Sequence, residues 1–267
     1  MNKEERKERR RQAVARSKFV LPSIITLLSI ICSFSGLVMS MNAAMDNHSY
    51  YLNWAAKFLI FAGVCDGLDG RIARATNTTS EFGVQLDSLA DVLSFGMATA
   101  ALAYQYDFCQ IGASVSPQIK FVGWAASCIF LACSTLRLAR FNVQAGFVDN
   151  KFFVGVPTPV GAACVASVVM YKPNPLTTIP QICLFAVGVS LVGLLMFSNM
   201  RFLSFKKCFK TQRFTSLTTT GMAAVLLTVV LCNNQVLPVL CAAYLLGNIA
   251  INIGWKLGWR GIEPPIM

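Results

Sequence analysis

The stretch DGLDGRIARATNTTSEFGVQLDSLAD, which runs from Asp66 to Asp91, decides how this chain must fold. It holds four aspartates and two arginines within a sequence that is otherwise strongly apolar. An ionised side chain at the centre of a membrane helix costs roughly 2.5–3.5 kcal/mol, so four uncompensated carboxylates would cost on the order of 10 kcal/mol. The fold must therefore bring compensating groups to these carboxylates.

Helical spacing divides the stretch into two polar faces. At about 100° per residue, the polar and small residues of its first half share one face within an arc of roughly 140°. The members of this face are Asp66, Asp69, Gly70, Ala73 and Arg74. A second face follows at intervals of four residues and predicts a second helix, with the members Gly83, Asp87 and Asp91. The short polar segment 75–82 predicts a reversal of the chain that sets the two faces opposite each other.

Two aspartates from each predicted helix would then converge on a small volume. Like charges packed so closely hold protons unless a cation neutralises them, and hard divalent cations prefer carboxylate oxygens. We therefore predict a site for two divalent cations, the arrangement that clamps attacking and leaving oxygens in phosphoryl transfer. The predicted ligands are Asp66, Asp69, Asp87 and Asp91. Gly70 and Gly83 leave space where a bulky substrate approaches the backbone.

Composition indicates the class of protein. Hydrophobic residues make up 55% of the 267 residues, charged residues 13%, and the mean hydropathy is +0.57. These values are typical of a polytopic membrane protein and exclude a soluble domain. Apolar runs of about 17–25 residues can span a bilayer, and we therefore expect an all-α transmembrane bundle of about eight spans. The predicted spans are 19–41, 51–72, 84–105, 119–140, 154–171, 180–200, 215–232 and 236–255.

The net charge of +11 could indicate a nucleic-acid partner, but the placement of the basic residues argues against one. If the N-terminus is cytosolic, 20 of the 23 Lys/Arg residues lie in or beside segments that face the cytosol. The other three are Lys57, Lys120 and Lys172. This positive-inside bias predicts that both termini are cytosolic and that the aspartates lie at the cytosolic membrane face. We expect an integral protein of a bacterial inner (cytoplasmic) membrane, in contact with membrane lipids.

The chain divides into one membrane domain and two flanking segments. Residues 1–18 hold eight Lys/Arg and three Glu, which indicates a basic amphipathic segment on anionic head groups or a solvated tail that only enforces topology. Residues 19–207 form the domain that contains the motif, and residues 208–267 add further helices and a short cytosolic tail.

His48, the single histidine, falls in a predicted outer loop, which excludes histidine chemistry at the cytosolic site. The ten cysteines show neither zinc-ligand spacing nor a disulfide pattern.

The pattern D-x2-D-G-x2-A-R-x8-G-x3-D-x3-D is complete between Asp66 and Asp91 and resembles the signature of the CDP-alcohol phosphatidyltransferases. The resemblance implies a homodimeric enzyme that uses CDP-diacylglycerol and two divalent cations, Mg²⁺ or Mn²⁺. It implies that Asp91 shares one of the cations and accepts the proton of the attacking hydroxyl. It also implies that four residues line the nucleotide site, with Arg74 contacting a phosphate. These four are Asp66, Gly70, Arg74 and Gly83.

Flanking stretches narrow the choice of acceptor alcohol. They are DSLADVLSFG (87–96), STLRLARFNV (134–143), GVPTP (155–159) and MRFLSFK (200–206). Together with the motif they resemble the membrane-bound phosphatidylserine synthases over roughly residues 18–207. This resemblance implies transfer to L-serine, which gives phosphatidylserine and CMP in phospholipid biosynthesis. Because arginine binds a carboxylate bidentately, Arg137 or Arg140, followed by Asn142, is the candidate ligand for serine or a phosphate.

Other interpretations stay open at the level of sequence. The alcohol could be glycerol 3-phosphate, inositol phosphate or choline, although a phosphorylated alcohol would need more basic residues than Arg137 and Arg140. These arginines could also simply snorkel to the interface. Intramembrane carboxylates also mark ion pathways, so an ion or metal transporter is the alternative class. No second acidic cluster or internal repeat supports an alternating path, and a non-catalytic lipid-binding scaffold would not need four aspartates at helical spacing.

Overall fold

The structure, a computed structural model, describes residues 3–43, 48–75, 80–106, 117–144, 152–174, 176, 178–203 and 234–256. The helices in these ranges are α1 (Lys3–Asn42), α2 (His48–Ala75), α3 (Glu81–Asp91), α4 (Ala98–Tyr104), α5 (Pro117–Gln144), α6 (Thr158–Tyr171), α7 (Ile179–Phe197) and α8 (Val236–Lys256). A π-helical stretch, Val92–Met97, joins α3 to α4. Two short strands complete the fold, β1 (Phe152–Val154) and β2 (Arg201–Leu203).

Much of the helical surface is apolar, as expected of a protein surrounded by lipid. Large hydrophobic side chains such as Phe34, Leu184 and Val239 are more than half exposed. Among the described residues, five helical stretches are long and apolar enough to cross a membrane. They are Ser23–Asn42, Glu81–Tyr104, Lys120–Val143, Ile179–Phe197 and Val236–Gly254. The predicted all-helical membrane architecture is thereby confirmed in its main feature.

The number of spans and their orientation remain predictions. Helix α6 is apolar but shorter than the five candidate spans. Helix α2 is 28 residues long and covers the predicted span 51–72, yet it carries the polar motif and is not one of the five. The predicted span 215–232 lies outside the described residues.

Two helix pairs pack with their backbones close together. Helix α1 lies along α2, and α5 lies along α7. A Cβ atom at Gly36 of α1 would lie 3.1 Å from the carbonyl oxygen of Ala55 in α2. A Cβ atom at Gly193 of α7 would lie 3.0 Å from the Cα atom of Phe130 in α5. Small residues at these crossings allow the close packing that is common between membrane helices.

The antiparallel pair of β1 and β2 was not predicted from the sequence. The pair sets Phe153 opposite Phe202, and beside it the backbone N–H of Gly155 donates to the carbonyl of Met200 at 2.8 Å. Gly155 has a φ of +78°, in the left-handed region that favours glycine. A Cβ atom there would lie 2.1 Å from the carbonyl oxygen of Met196. The segment before α6 is thus fixed against the end of α7.

Candidate active site

The two motif helices meet at a short connection, as the sequence predicts. Helix α2 ends at Ala75, and α3 begins at Glu81. Ser80 has extended backbone angles, and its Oγ accepts a hydrogen bond of 3.0 Å from the backbone N–H of Gly83. Such an N-cap satisfies one of the amide groups that the first turn leaves without a helical acceptor. The cap fixes the start of the helix that carries Asp87 and Asp91.

A π-helical stretch follows directly after Asp91. It covers Val92–Met97 and buries Ser94, Phe95 and Gly96 against the other helices. A Cβ atom at Gly96 would lie 2.9 Å from the Oγ atom of Ser134 in α5, so this stretch and α5 approach closely. Single π-helical turns are frequent at functional sites because they change the direction of neighbouring side chains. The change from α-helix to π-helix thus occurs directly after Asp91, the last aspartate of the motif.

The structure brings three of the four motif aspartates together. Asp66 and Asp69 on α2 and Asp87 on α3 each offer one carboxylate oxygen, and these oxygens lie within 4.8 Å of one another. Asp69 is buried, Asp66 is half-buried and Asp87 is exposed. The cluster therefore extends from the interior of the bundle to its surface.

Asp91 lies beside this group of three. Its carboxyl group shares a hydrogen bond with that of Asp66. Its Oδ1 atom is buried and has no hydrogen-bond partner among the residues that the structure describes. Two carboxyl groups in such contact need a shared proton or a cation between them. Asp91 therefore combines contact with the cluster and one carboxylate oxygen available to a ligand.

The donor set suits hard divalent cations. All of its atoms are carboxylate oxygens, the ligands that Mg²⁺ and Mn²⁺ prefer. Mg²⁺ binds oxygen at about 2.0–2.1 Å, so one ion joins oxygens up to about 4.2 Å apart. The separations within the cluster are all within 4.8 Å, so one ion could join these oxygens after at most a small shift of a side chain. The three clustered aspartates, with Asp91 beside them, thus fit a divalent-cation site.

A fifth residue, which the sequence analysis did not identify, contacts the cluster from α1. The Oγ1 atom of Thr26 donates a hydrogen bond of 2.6 Å to Oδ2 of Asp69, and both side chains are buried. Thr26 begins a series of buried hydroxyl residues with Ser29, Ser33 and Ser40. Their spacing of three, four and seven residues marks one helical face inside an apolar run. That polar face is the signal from which the sequence could have indicated Thr26.

Arg137 places a buried positive charge near the cluster. Its side chain is 6% exposed, and it interacts electrostatically with Asp91. Its Nη1 atom donates to Oγ1 of Thr158 at 2.7 Å. Its Nε atom is buried without a hydrogen-bond partner within the described part of the chain. Arg137 thus has a donor available for a ligand close to Asp91.

Arg140, three residues further along α5, has a different environment. Its Nη1 atom donates to the carbonyl oxygen of Phe197 at 2.9 Å and to Oδ1 of Asn199 at 3.0 Å. Its Nη2 atom donates to the carbonyl oxygens of Val154 and Ser198, both at 3.2 Å. Both Nη atoms are therefore engaged at the end of α7 and at β1. These contacts support a structural role for Arg140, which the sequence had offered as an alternative to Arg137 for binding serine.

The remaining predicted site residues lie around the motif helices. Asn142 donates from Nδ2 to Oγ of Ser88 at 2.9 Å and so joins α5 to the residue that follows Asp87. Gly70 is half-buried next to Asp69. The side chain of Arg74 lies outside the described residues, so its predicted phosphate contact stays a prediction.

Apolar helices that enclose a cluster of carboxylates define an integral membrane protein with a cation-compatible site in its helical bundle. The family model of the CDP-alcohol phosphatidyltransferases matches residues 19–258. The chain belongs to this family and is a CDP-diacylglycerol-dependent phosphatidyltransferase, as predicted from the motif.

Several relatives bear the name CDP-diacylglycerol–serine O-phosphatidyltransferase. The protein from Helicobacter pylori (strain ATCC 700392 / 26695) is 37% identical over 191 residues, which cover 71% of this chain and 74% of the relative. The protein from Bacillus subtilis (strain 168) is 30% identical over 188 residues, 70% of this chain and 92% of the relative. The protein from Saccharomyces cerevisiae is 35% identical over 149 residues, 53% of this chain and 50% of the relative.

Proposed function

We propose that this protein transfers the phosphatidyl group of CDP-diacylglycerol to the hydroxyl group of L-serine and releases CMP. The observation that carries the proposal is the convergence of Asp66, Asp69 and Asp87, with Asp91 and the buried Arg137 beside them. The names of the relatives support serine as the acceptor. The product, phosphatidylserine, makes this a reaction of phospholipid biosynthesis.

The aspartates hold two divalent cations, Mg²⁺ or Mn²⁺, in this proposal. Asp66, Asp69 and Asp87 supply the ligands, and Asp91 shares one of the ions. When bound, the cations neutralise the diphosphate and stabilise CMP as the leaving group. The depth of the cluster supports this assignment, since Asp69 lies inside the bundle and Asp87 at its surface. A lipid with a water-soluble nucleotide head needs access to both environments.

Asp91 accepts the proton of the serine hydroxyl. As the proton leaves, the serine oxygen forms a bond to the lipid-linked phosphorus, and the bond between that phosphorus and the CMP oxygen breaks. The buried Oδ1 atom of Asp91 supports this role, because it has no hydrogen-bond partner among the described residues and so keeps an unused acceptor for a substrate hydroxyl. In the described structure the carboxylate is also held in place by its contact with Asp66.

Arg137 binds the carboxylate of serine. A carboxylate that enters a buried site needs a charged partner with hydrogen-bond donors, and the guanidinium group of Arg137 is buried with an available Nε. The electrostatic interaction between Arg137 and Asp91 supports the placement of both groups at one substrate site. Asn142 lies five residues further along the same helix and is a secondary candidate for contact with serine or a phosphate.

The nucleotide end of the substrate lies along the first motif helix. Asp66, Gly70 and Arg74 line it, together with Gly83 at the start of α3. Half-buried glycine at position 70 supports this placement, since it adds no side chain next to Asp69.

The wider organisation is part of the proposal. It comprises eight spans in a bacterial inner membrane, with both termini and the site facing the cytosol. The distribution of the basic residues supports the span count and this orientation. Residues 1–18 form the basic surface segment, 19–207 the catalytic membrane domain and 208–267 the additional helices and tail. We further propose a homodimer, for which the family resemblance is the support.

The direct test is CMP release by the purified protein in detergent. CDP-diacylglycerol and Mn²⁺ or Mg²⁺ are supplied, and serine is compared with glycerol 3-phosphate, inositol phosphate and choline. We expect release that depends on serine and stops when the cation is chelated. Release with another alcohol would agree with the proposed cation site but contradict the proposed role of Arg137 in binding serine. No release with any of the alcohols would contradict the proposal as a whole.

A further inference from the structure

We infer that Thr26 is a positioning residue, whose hydroxyl group orients the carboxylate of Asp69 toward the divalent cations. This inference rests on the proposed function of Asp69 as a cation ligand. Thr26 is on α1, outside the sequence motif, and reaches the motif only because α1 packs along α2. It would make α1 a part of the catalytic site.

The geometry indicates a strong and specific hydrogen bond. The distance of 2.6 Å from Thr26 Oγ1 to Asp69 Oδ2 falls in the range of about 2.5–2.7 Å typical of a hydroxyl that donates to an ionised carboxylate. The two residues are 43 positions apart in the chain, so the contact does not follow from local helix geometry. Both side chains are buried, at 5% and 3% exposure, which limits competition from water.

Other hydroxyl groups of α1 show what a serine or threonine ordinarily does in a helix. Ser33 and Ser35 donate back to backbone carbonyls four residues earlier in their own helix, at 3.0 and 2.8 Å. Ser29 donates across to α2, but to the backbone carbonyl of Ala62, at 3.0 Å. Thr26 instead donates to the side chain of a proposed cation ligand. Its contact is therefore aimed at the cluster rather than at helix packing.

The consequence for the cation follows from the shape of a carboxylate. A threonine hydroxyl donates one proton, so it fixes Oδ2, and the planar carboxylate then fixes the direction of Oδ1. Partners of this kind orient metal ligands, and their loss typically reduces metal affinity or activity by about 10- to 100-fold. Asp69 is the most buried of the three clustered aspartates, where solvent is least able to replace the lost partner.

The test compares Thr26→Val with Thr26→Ser in the full-length protein in detergent. Valine keeps the shape of threonine but lacks the hydroxyl, whereas serine keeps the hydroxyl. Ser29→Ala is the matched control, because it removes a buried hydroxyl contact between the same two helices. Asp69→Asn reports whether Asp69 binds the cation at all. Bound Mn²⁺ is measured by electron paramagnetic resonance titration, without substrate, alongside the Mn²⁺ dependence of CMP release.

We expect Thr26→Val to raise the Mn²⁺ dissociation constant about 10-fold or more, and Thr26→Ser and Ser29→Ala to stay within about threefold of the wild type. If Asp69→Asn loses Mn²⁺ while Thr26→Val binds it normally, the inference on Thr26 is overturned and the cation site stands. If Asp69→Asn binds Mn²⁺ normally, the proposed role of Asp69 and this inference both fall. Equal losses in Thr26→Val and Ser29→Ala would also overturn it, since the effect would then be one of helix packing. Should Thr26→Val not fold, Thr26→Ala against Thr26→Ser decides by the same criterion.

Discussion

The aspartate cluster and the surroundings of Arg140 are two polar regions in an apolar helical bundle, and they are compensated in opposite ways. Arg140 gives its Nη donors to backbone carbonyls and one amide at the end of α7 and at β1. In the aspartate cluster, carboxyl groups lie against one another, and a buried oxygen of Asp91 has no hydrogen-bond partner among the described residues. The surroundings of Arg140 supply its hydrogen-bond partners, whereas the described residues leave this oxygen of Asp91 for a ligand to complete.

The contrast extends to two arginines that lie one helical turn apart. A buried polar atom without a partner costs about 1–3 kcal/mol, and native proteins keep few of them. Arg140 avoids this cost through its backbone contacts, while Arg137 leaves Nε buried without a partner among the described residues. Such an atom is explained if a ligand completes its hydrogen bonds during function. The difference teaches that charge alone does not identify a binding residue, and that its hydrogen-bond partners do.

Asp91→Asn gives the largest expected effect, since asparagine keeps the shape of aspartate but does not accept the proton. General-base catalysis contributes about 10²- to 10⁴-fold, and we expect serine-dependent CMP release to fall about 10³-fold. Binding of CDP-diacylglycerol, measured with radiolabelled lipid, should stay within a fewfold of the wild type. An active variant would show that Asp91 is not the base. It would also remove the main functional difference between the aspartate cluster and the surroundings of Arg140.

Arg137→Ala should raise the KM for serine by about 30- to 100-fold, which corresponds to the lower part of the cost expected for losing such a partner. Loss of one partner of a buried, hydrogen-bonded charge pair costs about 2–5 kcal/mol, and each 1.4 kcal/mol is a factor of ten. The KM for CDP-diacylglycerol should change much less, because Arg137 is assigned to serine alone. The measurement is a pair of KM values with each substrate varied in turn. Equal changes in the two values would count against carboxylate binding.

Arg140→Ala is the paired control and should act on stability instead. It removes hydrogen bonds that join the end of α7 to β1, and we expect the free energy of unfolding to fall by about 2–3 kcal/mol. The midpoint of thermal unfolding in detergent reports this change. The KM for serine of the folded variant should match the wild type. If the KM for serine rises as much as in Arg137→Ala, Arg140 also contributes to binding the serine carboxylate. The two arginines would then not differ in role.

The motif region is the part of the site that could be predicted from the sequence. Helical periodicity places Asp66 and Asp69 on one face, and the polar segment 75–82 predicts the reversal that lets Asp87 meet them. These relations are local, so spacing alone is enough. The contact of Thr26 with Asp69 depends on how α1 packs against α2, and a hydroxyl in an apolar run does not name its partner.

For the same reason, the different roles of Arg137 and Arg140 could not be predicted from the sequence. The acceptors around Arg140 come from segments 14 to 59 residues away. The predicted span 154–171 also begins too early, since α6 starts at Thr158. The apolar residues of β1 match the composition of a membrane helix, and only the pairing with β2 and the left-handed backbone of Gly155 end the helix there. Pairing of distant three-residue strands leaves no periodic pattern to detect.

Gly155→Ala has the smallest expected effect on activity and tests the structural side of the comparison. Alanine is strained at a φ of +78°, and its Cβ would lie 2.1 Å from the carbonyl oxygen of Met196 and 3.2 Å from Nη2 of Arg140. The backbone conformation alone should lower the free energy of unfolding by about 1–2 kcal/mol, the overlap with Met196 should lower it further, and the KM for serine should not change. Gly188→Ala in α7 is the matched control, because nothing lies within 4 Å of its Cβ position and alanine favours a helix, so its unfolding midpoint should stay level or rise. If both variants unfold like the wild type, the surroundings of Arg140 tolerate rearrangement. The hydrogen bonds of Arg140 would then not be what holds the end of α7 against β1.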